Sequence, residues 1–175
     1  MTDKTHTIFV LEFSRTFVNV VNHVLFPGID KAPDQNDLSI AFMKPLKLFL
    51  DRHKMELYFL YREELARFKK ELDEKSFKEL LESMISDLKA DEYDSQEFSY
   101  FCIVLSYFAA ISRKNNIPTA LKVAARVIID AIEHFEKDHT IKDDIIEGIK
   151  DSLMKTAERI IAQKMSDIEK NEERE

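Results

Sequence analysis

Residues 98–111 read FSYFCIVLSYFAAI, which is the longest apolar run in the chain. The run spans 14 residues and contains hydroxyls at Ser99 and Ser106. A membrane-spanning helix needs about 20 predominantly apolar residues, so this run is too short to cross a bilayer. A helix that is apolar nearly all round is typical of a position inside a core. We therefore expect a helix over residues 95–113 at the centre of the fold.

Glycine is scarce throughout the chain. The 175 residues include only Gly28 and Gly148. Because glycine supplies the turns of hairpins and the backbone of phosphate-binding loops, the chain has little means of building β-rich or nucleotide-loop structure. The sequence therefore predicts an all-α protein.

Hydrophobic periodicity predicts an antiparallel bundle of about six helices. Four are long, at approximately 8–25, 45–72, 118–137 and 141–168, and two are shorter, at 77–90 and 95–113. The start signals are Asp37, expected to cap a short turn through Phe42, then Pro45, the Ser76–Glu79 pair and the Asp94–Glu97 pair. We expect one domain over residues 1–168, with 169–175 as a charged, frayed tail.

The charge and cysteine content of the chain indicate which kind of partner and which cellular compartment to expect. The net charge is −7 and no run of Lys and Arg stands out, which disfavours a nucleic-acid partner. The N-terminus has no basic region and cleavage site typical of a signal peptide. A single cysteine, Cys102, forms no disulfide framework. We expect a cytoplasmic protein with no membrane association.

A DDxxE spacing is the clearest candidate for chemistry. It consists of Asp143, Asp144 and Glu147 in the first turn of the predicted last helix, where carboxylates three or four positions apart share a face. With Glu63 and Glu64 facing them, these side chains could hold Mg²⁺ through oxygen ligands. The alternative function is then a Mg²⁺-dependent hydrolase of a phosphorylated small molecule. The simpler interpretation is that the acids complement the helix dipole.

Two weaker patterns involve histidine. Glu136-x-x-His139 has the spacing of a di-iron half-site, but only one copy is present and a dipole role for His139 is simpler. His53 and His23 lie on or beside apolar stripes, and Glu56 is a plausible partner of His53. No companion nucleophile accompanies either of them.

These observations favour a non-enzymatic structural or interaction protein with no catalytic residue and no cofactor. We expect it to bind a protein partner, most simply a second copy of itself. The expected contact surface is Phe9, Val10 and Leu11, or the far end of the last helix. A second alternative is an apolar-ligand carrier, whose cavity the 13 Phe and five Tyr would line.

Overall fold

The computed structural model describes residues 2–28, 33–67, 72–137 and 145–174. These ranges contain six α-helices and no strand, which confirms the all-α prediction and the helical bundle. The helices are α1 (Thr2–Leu25), α2 (Asp37–Arg67), α3 (Glu74–Lys89), α4 (Ser95–Lys114), α5 (Ala120–Lys137) and α6 (Ile145–Glu172).

Helix α4 is the centre of the core, as its sequence predicts. It packs against α1, α5 and α6 and touches α2 more lightly. All ten residues from Phe101 to Ala110 are buried. Burying apolar surface contributes roughly 25 cal/mol per Å², so a helix with no polar face is stable only where neighbours cover every side. The bundle is therefore organised around α4. The predicted lengths of two helices are wrong, because α4 has 20 residues and α5, predicted to be longer, has 18.

The remaining helices each bury one face. Helix α1 packs against α2, α4 and α5, α6 lies on α2 and α4, and α3 lies on α5. Aromatic rings join the first pair: Phe42 of α2 lies 5.6 Å from Phe13 and 5.4 Å from Phe17, measured between ring centroids. Both pairs are edge-to-face, an arrangement that the ring quadrupoles favour over a perfect face-to-face sandwich. The aromatic residues of α1 and α2 thus fix the contact between these two helices.

The turn between α4 and α5 is a helix stop of the Schellman type. Ile117 N–H donates to Ser112 O (3.0 Å), and Asn116 N–H donates to Arg113 O (3.3 Å). Asn116 adopts a left-handed conformation with φ of 76°, which asparagine tolerates better than most residues. The chain then reverses, and Phe135 near the end of α5 reaches Phe98 near the start of α4, with ring centroids 5.8 Å apart. Helix α4 ends at Lys114, one residue beyond the predicted end at 113.

The start of α2 differs from the prediction. The short turn expected between Asp37 and Phe42 is instead the first part of one continuous helix that contains Pro45. Asn36 begins it, because Ser39 N–H donates to Asn36 Oδ1 (2.8 Å) and Asn36 N–H donates to Ser39 Oγ (3.0 Å). Proline removes one helical hydrogen bond. The burial of Phe42 before it and Leu46 after it holds both parts of the helix in the core.

The start of α3 also differs. Asp73 is the N-cap: the Ser76 backbone N–H and hydroxyl donate to Asp73 Oδ1 at 2.8 and 2.7 Å. The helix therefore begins three residues before the predicted Phe77, since Asp is as good a cap as Ser. The predicted start of α4 is confirmed, because Glu97 N–H donates to Asp94 Oδ1 (2.8 Å). The last helix ends later than predicted, because α6 continues to Glu172 and not to 168.

One stretch of the described residues, His6–Leu25 in α1, is long and apolar enough to cross a membrane by length and composition. About half of this stretch is buried inside the protein. Phe13 and Phe17 in this stretch are completely buried. A core helix passes the same composition test, and the packing of α1 against three other helices matches that role.

Gly148 lies where the start of α6 approaches the start of α4. A Cβ atom placed on Gly148 would lie 3.5 Å from Ser95 Cβ and 3.5 Å from Tyr93 Oη, which is ordinary van der Waals contact. Close approach of another element therefore accompanies this glycine, but the space beside it accommodates a methyl group.

We expect Gly148→Ala to stabilise the fold by about 1 kcal/mol, because glycine inside a helix costs that much relative to alanine. For a chain of this size the melting temperature should rise by roughly 2–4 °C in a thermal unfolding experiment. The matched control is the reverse change, Ala162→Gly on the exposed face of α6, which should lower the melting temperature. A fall in stability for Gly148→Ala would show that Tyr93 and Ser95 cannot accept the methyl group.

The Asp73 cap makes stability depend on pH. Hydrogen bonds from Ser76, first from its backbone N–H and then from its hydroxyl, hold the pKa of Asp73 below its usual value of 3.8. Because the folded pKa is lower than the unfolded one, the cap contributes fully above pH 3.8 and its contribution is lost as the pH falls through the lowered value.

We therefore expect Asp73→Ala to lower the melting temperature at neutral pH, and this difference from the natural chain should shrink in strong acid. Asp73→Asn is the control, because asparagine caps without ionising. Thermal melts followed by circular dichroism at both pH values measure the effect. An Asp73→Ala deficit that is equal at both pH values would contradict the role of the charge.

Candidate functional site

The structure separates the described members of the predicted carboxylate group. Asp143 and Asp144 lie outside the described residues. Glu147 is largely exposed, and its Oε1 accepts a hydrogen bond from Lys150 Nζ at 3.1 Å. This contact is a surface ion pair within one helix turn, of the kind that contributes little to stability.

Glu63 and Glu64 lie at the other end of the bundle from Glu147. The start of α6, which carries Glu147, lies beside Ser95 at the start of α4. Glu63 and Glu64 follow Tyr61 closely in sequence, and Tyr61 Oη is 3.1 Å from Ser112 Oγ near the end of α4. Ser95 and Ser112 are separated along α4 by about 25 Å at 1.5 Å per residue.

Magnesium binds oxygen ligands at about 2.0–2.1 Å, so Glu147 cannot share one ion with Glu63 or Glu64. Glu64 instead lies 3.3 Å from Arg67 Nη1. Within the described residues, no group of three or more His, Cys, Asp or Glu side chains could hold a metal ion. The described carboxylates are therefore dispersed rather than gathered.

The histidine candidates have local partners. His53 Nδ1 lies 3.1 Å from Glu56 Oε2, as the sequence indicated, and the His53 ring packs 4.5 Å from the Phe49 ring. Glu136 pairs with His6 Nε2 at 2.7 Å. His139, the other half of the predicted di-iron spacing, lies outside the described residues. These contacts match surface and boundary roles for His53 and Glu136.

Cys102 is fully buried in the centre of α4. Burial raises the pKa of its thiol well above the usual range. Because the thiolate is the nucleophilic form of cysteine, this side chain is unsuited to nucleophilic catalysis. The hydroxyl of Ser106 donates to Cys102 O at 2.7 Å, which satisfies another polar group of the same helix.

The aromatic residues mainly fill the core. Six phenylalanines are among the largest completely buried side chains: Phe13, Phe17, Phe42, Phe77, Phe98 and Phe108. Tyr61 follows the same pattern, because its ring packs 5.2 Å from Phe108 while its hydroxyl meets Ser112. This packing favours a structural role for these rings over the lining of an apolar-ligand cavity.

An exposed apolar stripe runs along the outer face of α6. We define the stripe as Met154, Ile161, Met165 and Ile168. Each of these side chains is between 41% and 57% exposed. Their spacings of seven, four and three residues place them within about 60° of the helix circumference. Ile160 is the last buried residue of α6 among those described, so three of the four stripe residues, Ile161, Met165 and Ile168, lie in the final turns of the helix beyond the core.

The other predicted contact surface, on α1, is less available. Val10 is 3% exposed and Leu11 is half-buried. The prediction that these two residues belong to an open contact surface is therefore wrong. Only Phe9 is substantially exposed, at 36%. The helical period explains the difference, because three consecutive residues point to three different sides of a helix. The far end of the last helix is the surface that remains exposed.

A groove of about 670 Å³ lies between α1 and α5. Helix α1 contributes polar side chains at one-turn spacing, and α5 contributes two cations. The lining polar residues include Arg15, Asn19, Asn22, His23, Lys122 and Arg126, together with Arg113 from the end of α4. The groove lies in an acidic protein, yet basic side chains dominate its charged residues.

The sequence alone did not reveal this groove. Arg15, Asn19 and His23 belong to the polar face of α1, whereas Lys122 and Arg126 belong to the outward face of α5. Neither set indicates a site by itself, and 99 positions of sequence separate His23 from Lys122. The detectable signal was the four-residue spacing of basic and amide side chains on each helix, since such residues share a face.

Comparisons with protein-family models, with curated proteins and with solved structures find no match to this chain. A proposal for its function therefore rests on its own residues and their geometry.

The burial of Cys102 predicts that its thiol is unreactive in the folded protein. We expect the native chain to react with Ellman's reagent far more slowly than a free thiol, because the thiol is enclosed and its pKa is raised. After unfolding in guanidinium chloride, one thiol per chain should react rapidly. The release of thionitrobenzoate followed by absorbance measures both. Rapid labelling of the native chain would contradict the enclosed position of α4.

Proposed function

We propose that this protein is a non-enzymatic, cytoplasmic interaction protein that self-associates through the apolar stripe on α6. The exposure of Met154, Ile161, Met165 and Ile168 on one side of a helix is the observation that carries the proposal. Contiguous exposed apolar side chains are typical of protein contact sites, whereas single ones are ordinary on any surface.

The position of the stripe supports a partner helix. After Ile160, α6 has no buried residue among those described, so its last three turns gain little from the core. Isolated helices of this length are marginally stable in water, because packing of an apolar face supplies most helical stability in proteins. A partner that covers Ile161, Met165 and Ile168 would stabilise this part of the helix.

Charge favours a second copy as that partner. The stretch 154–172 carries four basic and four acidic side chains, whereas the whole chain has a net charge of −7. Two copies of an acidic protein repel each other through most of their surfaces. The neutral end of α6 is a place where they can meet without that penalty, and mixed charges beside the stripe allow salt bridges between copies.

The remaining observations support a binding role over catalysis. The described carboxylates of the alternative hydrolase site are held apart, and Cys102 is enclosed. The single buried thiol is suited to a reducing compartment, which supports the cytoplasmic assignment. The acidic net charge favours a protein partner over a nucleic acid.

We expect the natural chain to sediment at micromolar concentration as a species of about twice 20.5 kDa. The double variant Ile161→Lys/Met165→Glu should sediment as the 20.5 kDa monomer, because it replaces apolar contact surface with charges that require hydration. Analytical ultracentrifugation measures both masses. Circular dichroism checks that the helix content of the variant is retained.

The matched control is Met55→Lys/Phe59→Glu on α2. These side chains are also exposed, at 64% and 60%, and have the same four-residue spacing and the same charge change. The control should still self-associate. A natural chain that sediments only at 20.5 kDa would overturn the proposal, as would a control variant that dissociates while the α6 variant does not.

A further inference from the structure

The groove between α1 and α5 concentrates positive charge in a chain whose net charge is −7. Its charged lining consists of Arg15, Arg113, Lys122 and Arg126 against one acid, Asp34. Side chains from three helices thus converge on one concave surface. Because a cleft with low-dielectric walls focuses the field of such charges, this arrangement attracts anions even in an acidic protein.

Three of these cations are available to a ligand. Within the described part of the chain, Arg15, Lys122 and Arg126 form no salt bridge, although Glu12 and Asp130 lie within one helix turn of the two arginines. All three cations are exposed at the edge of the groove. Like charges around one groove repel one another, and an anion bound between them removes that repulsion.

The polar groups beside these cations suit an anion with several oxygen atoms. Asn19 and His23 follow Arg15 at four-residue intervals, so their side chains line the same face of α1. An amide, an imidazole and two guanidinium groups supply many N–H donors. Arginine pairs with phosphate through two parallel hydrogen bonds, which adds geometric specificity to the charge attraction.

The rest of the groove is apolar. Leu11 of α1 and Leu121, Ala125 and Ile129 of α5 line it beside the cations. A volume of about 670 Å³ is within the range of small-molecule sites. An inorganic ion would use only the charged edge. A nucleic acid would use a long basic surface rather than a short groove with apolar walls.

We propose that this groove binds a small organic phosphate that carries an apolar group. The phosphate contacts Arg15, Lys122 and Arg126, and the apolar group lies against Leu121 and Ala125. No residue of the α6 stripe lines this groove, so the proposal can be tested independently of self-association.

Phenyl phosphate is a suitable probe, because phenol lacks its charge and inorganic phosphate lacks its ring. In a titration followed by ¹H–¹⁵N correlation spectra, we expect phenyl phosphate to shift the amide signals of α1 and α5. It should bind at least fivefold more tightly than inorganic phosphate or phenol. Added salt should weaken the binding, since exposed charges carry part of it.

Paired variants test the cations. Arg15→Gln/Arg126→Gln should weaken phenyl phosphate binding at least tenfold. Arg52→Gln/Arg62→Gln on the exposed surface of α2 removes the same charge and should leave the affinity within twofold of the natural chain. Circular dichroism and thermal melts confirm that both variants fold.

Three results would overturn the proposal. Equal loss of affinity in the two double variants would indicate a general effect of net charge instead of a site. Equal affinity for phenyl phosphate and inorganic phosphate would exclude a role for the apolar lining. Signals that respond to oligothymidylate but not to phenyl phosphate would assign the surface to nucleic acid.

Discussion

Complete burial of α4 is the constraint on which the rest of the structure depends. Ten consecutive residues of this helix, from Phe101 to Ala110, are shielded from water. Each surrounding helix must therefore present an apolar face to it, and α1, α5 and α6 all do so. The ring contacts of Phe98 with Phe135 of α5 and of Phe108 with Tyr61 of α2 show how closely the neighbouring helices fit. Packing at this density makes the centre sensitive to changes in side-chain volume.

A centre of this kind leaves ligand and partner contacts to the outer helices. The polar side chains within α4 are occupied locally: Ser106 bonds to Cys102 O, and Ser112 meets Tyr61. The outer face of α6 carries apolar side chains that the core does not cover, and α1 and α5 carry cations that no described carboxylate neutralises. One surface suits a protein copy and the other suits an anion, because their chemistry differs.

Local sequence signals were sufficient to locate a helix end where one residue nearby is clearly the best cap. Asp94 caps α4 as predicted, and the helix ends within one residue of its predicted end at 113. Prediction failed where neighbouring residues compete for the same role. Asn36 caps α2 in place of Asp37, and Asp73 caps α3 in place of Ser76, since several side chains cap almost equally well. For the candidate carboxylate site, spacing located acids on one helix face but carried no information about which helix lies opposite.

The sequence by itself determined that the protein is helical and that residues 98–111 lie at its centre. It also shows that residues 154–172 carry no net charge. Only the tertiary structure decided that Glu147 is far from Glu63 and that the cations of α1 and α5 line one groove. The physical reason is that helical periodicity specifies which face of each helix avoids water. It does not specify which neighbour covers that face, and therefore which polar faces meet at its edges.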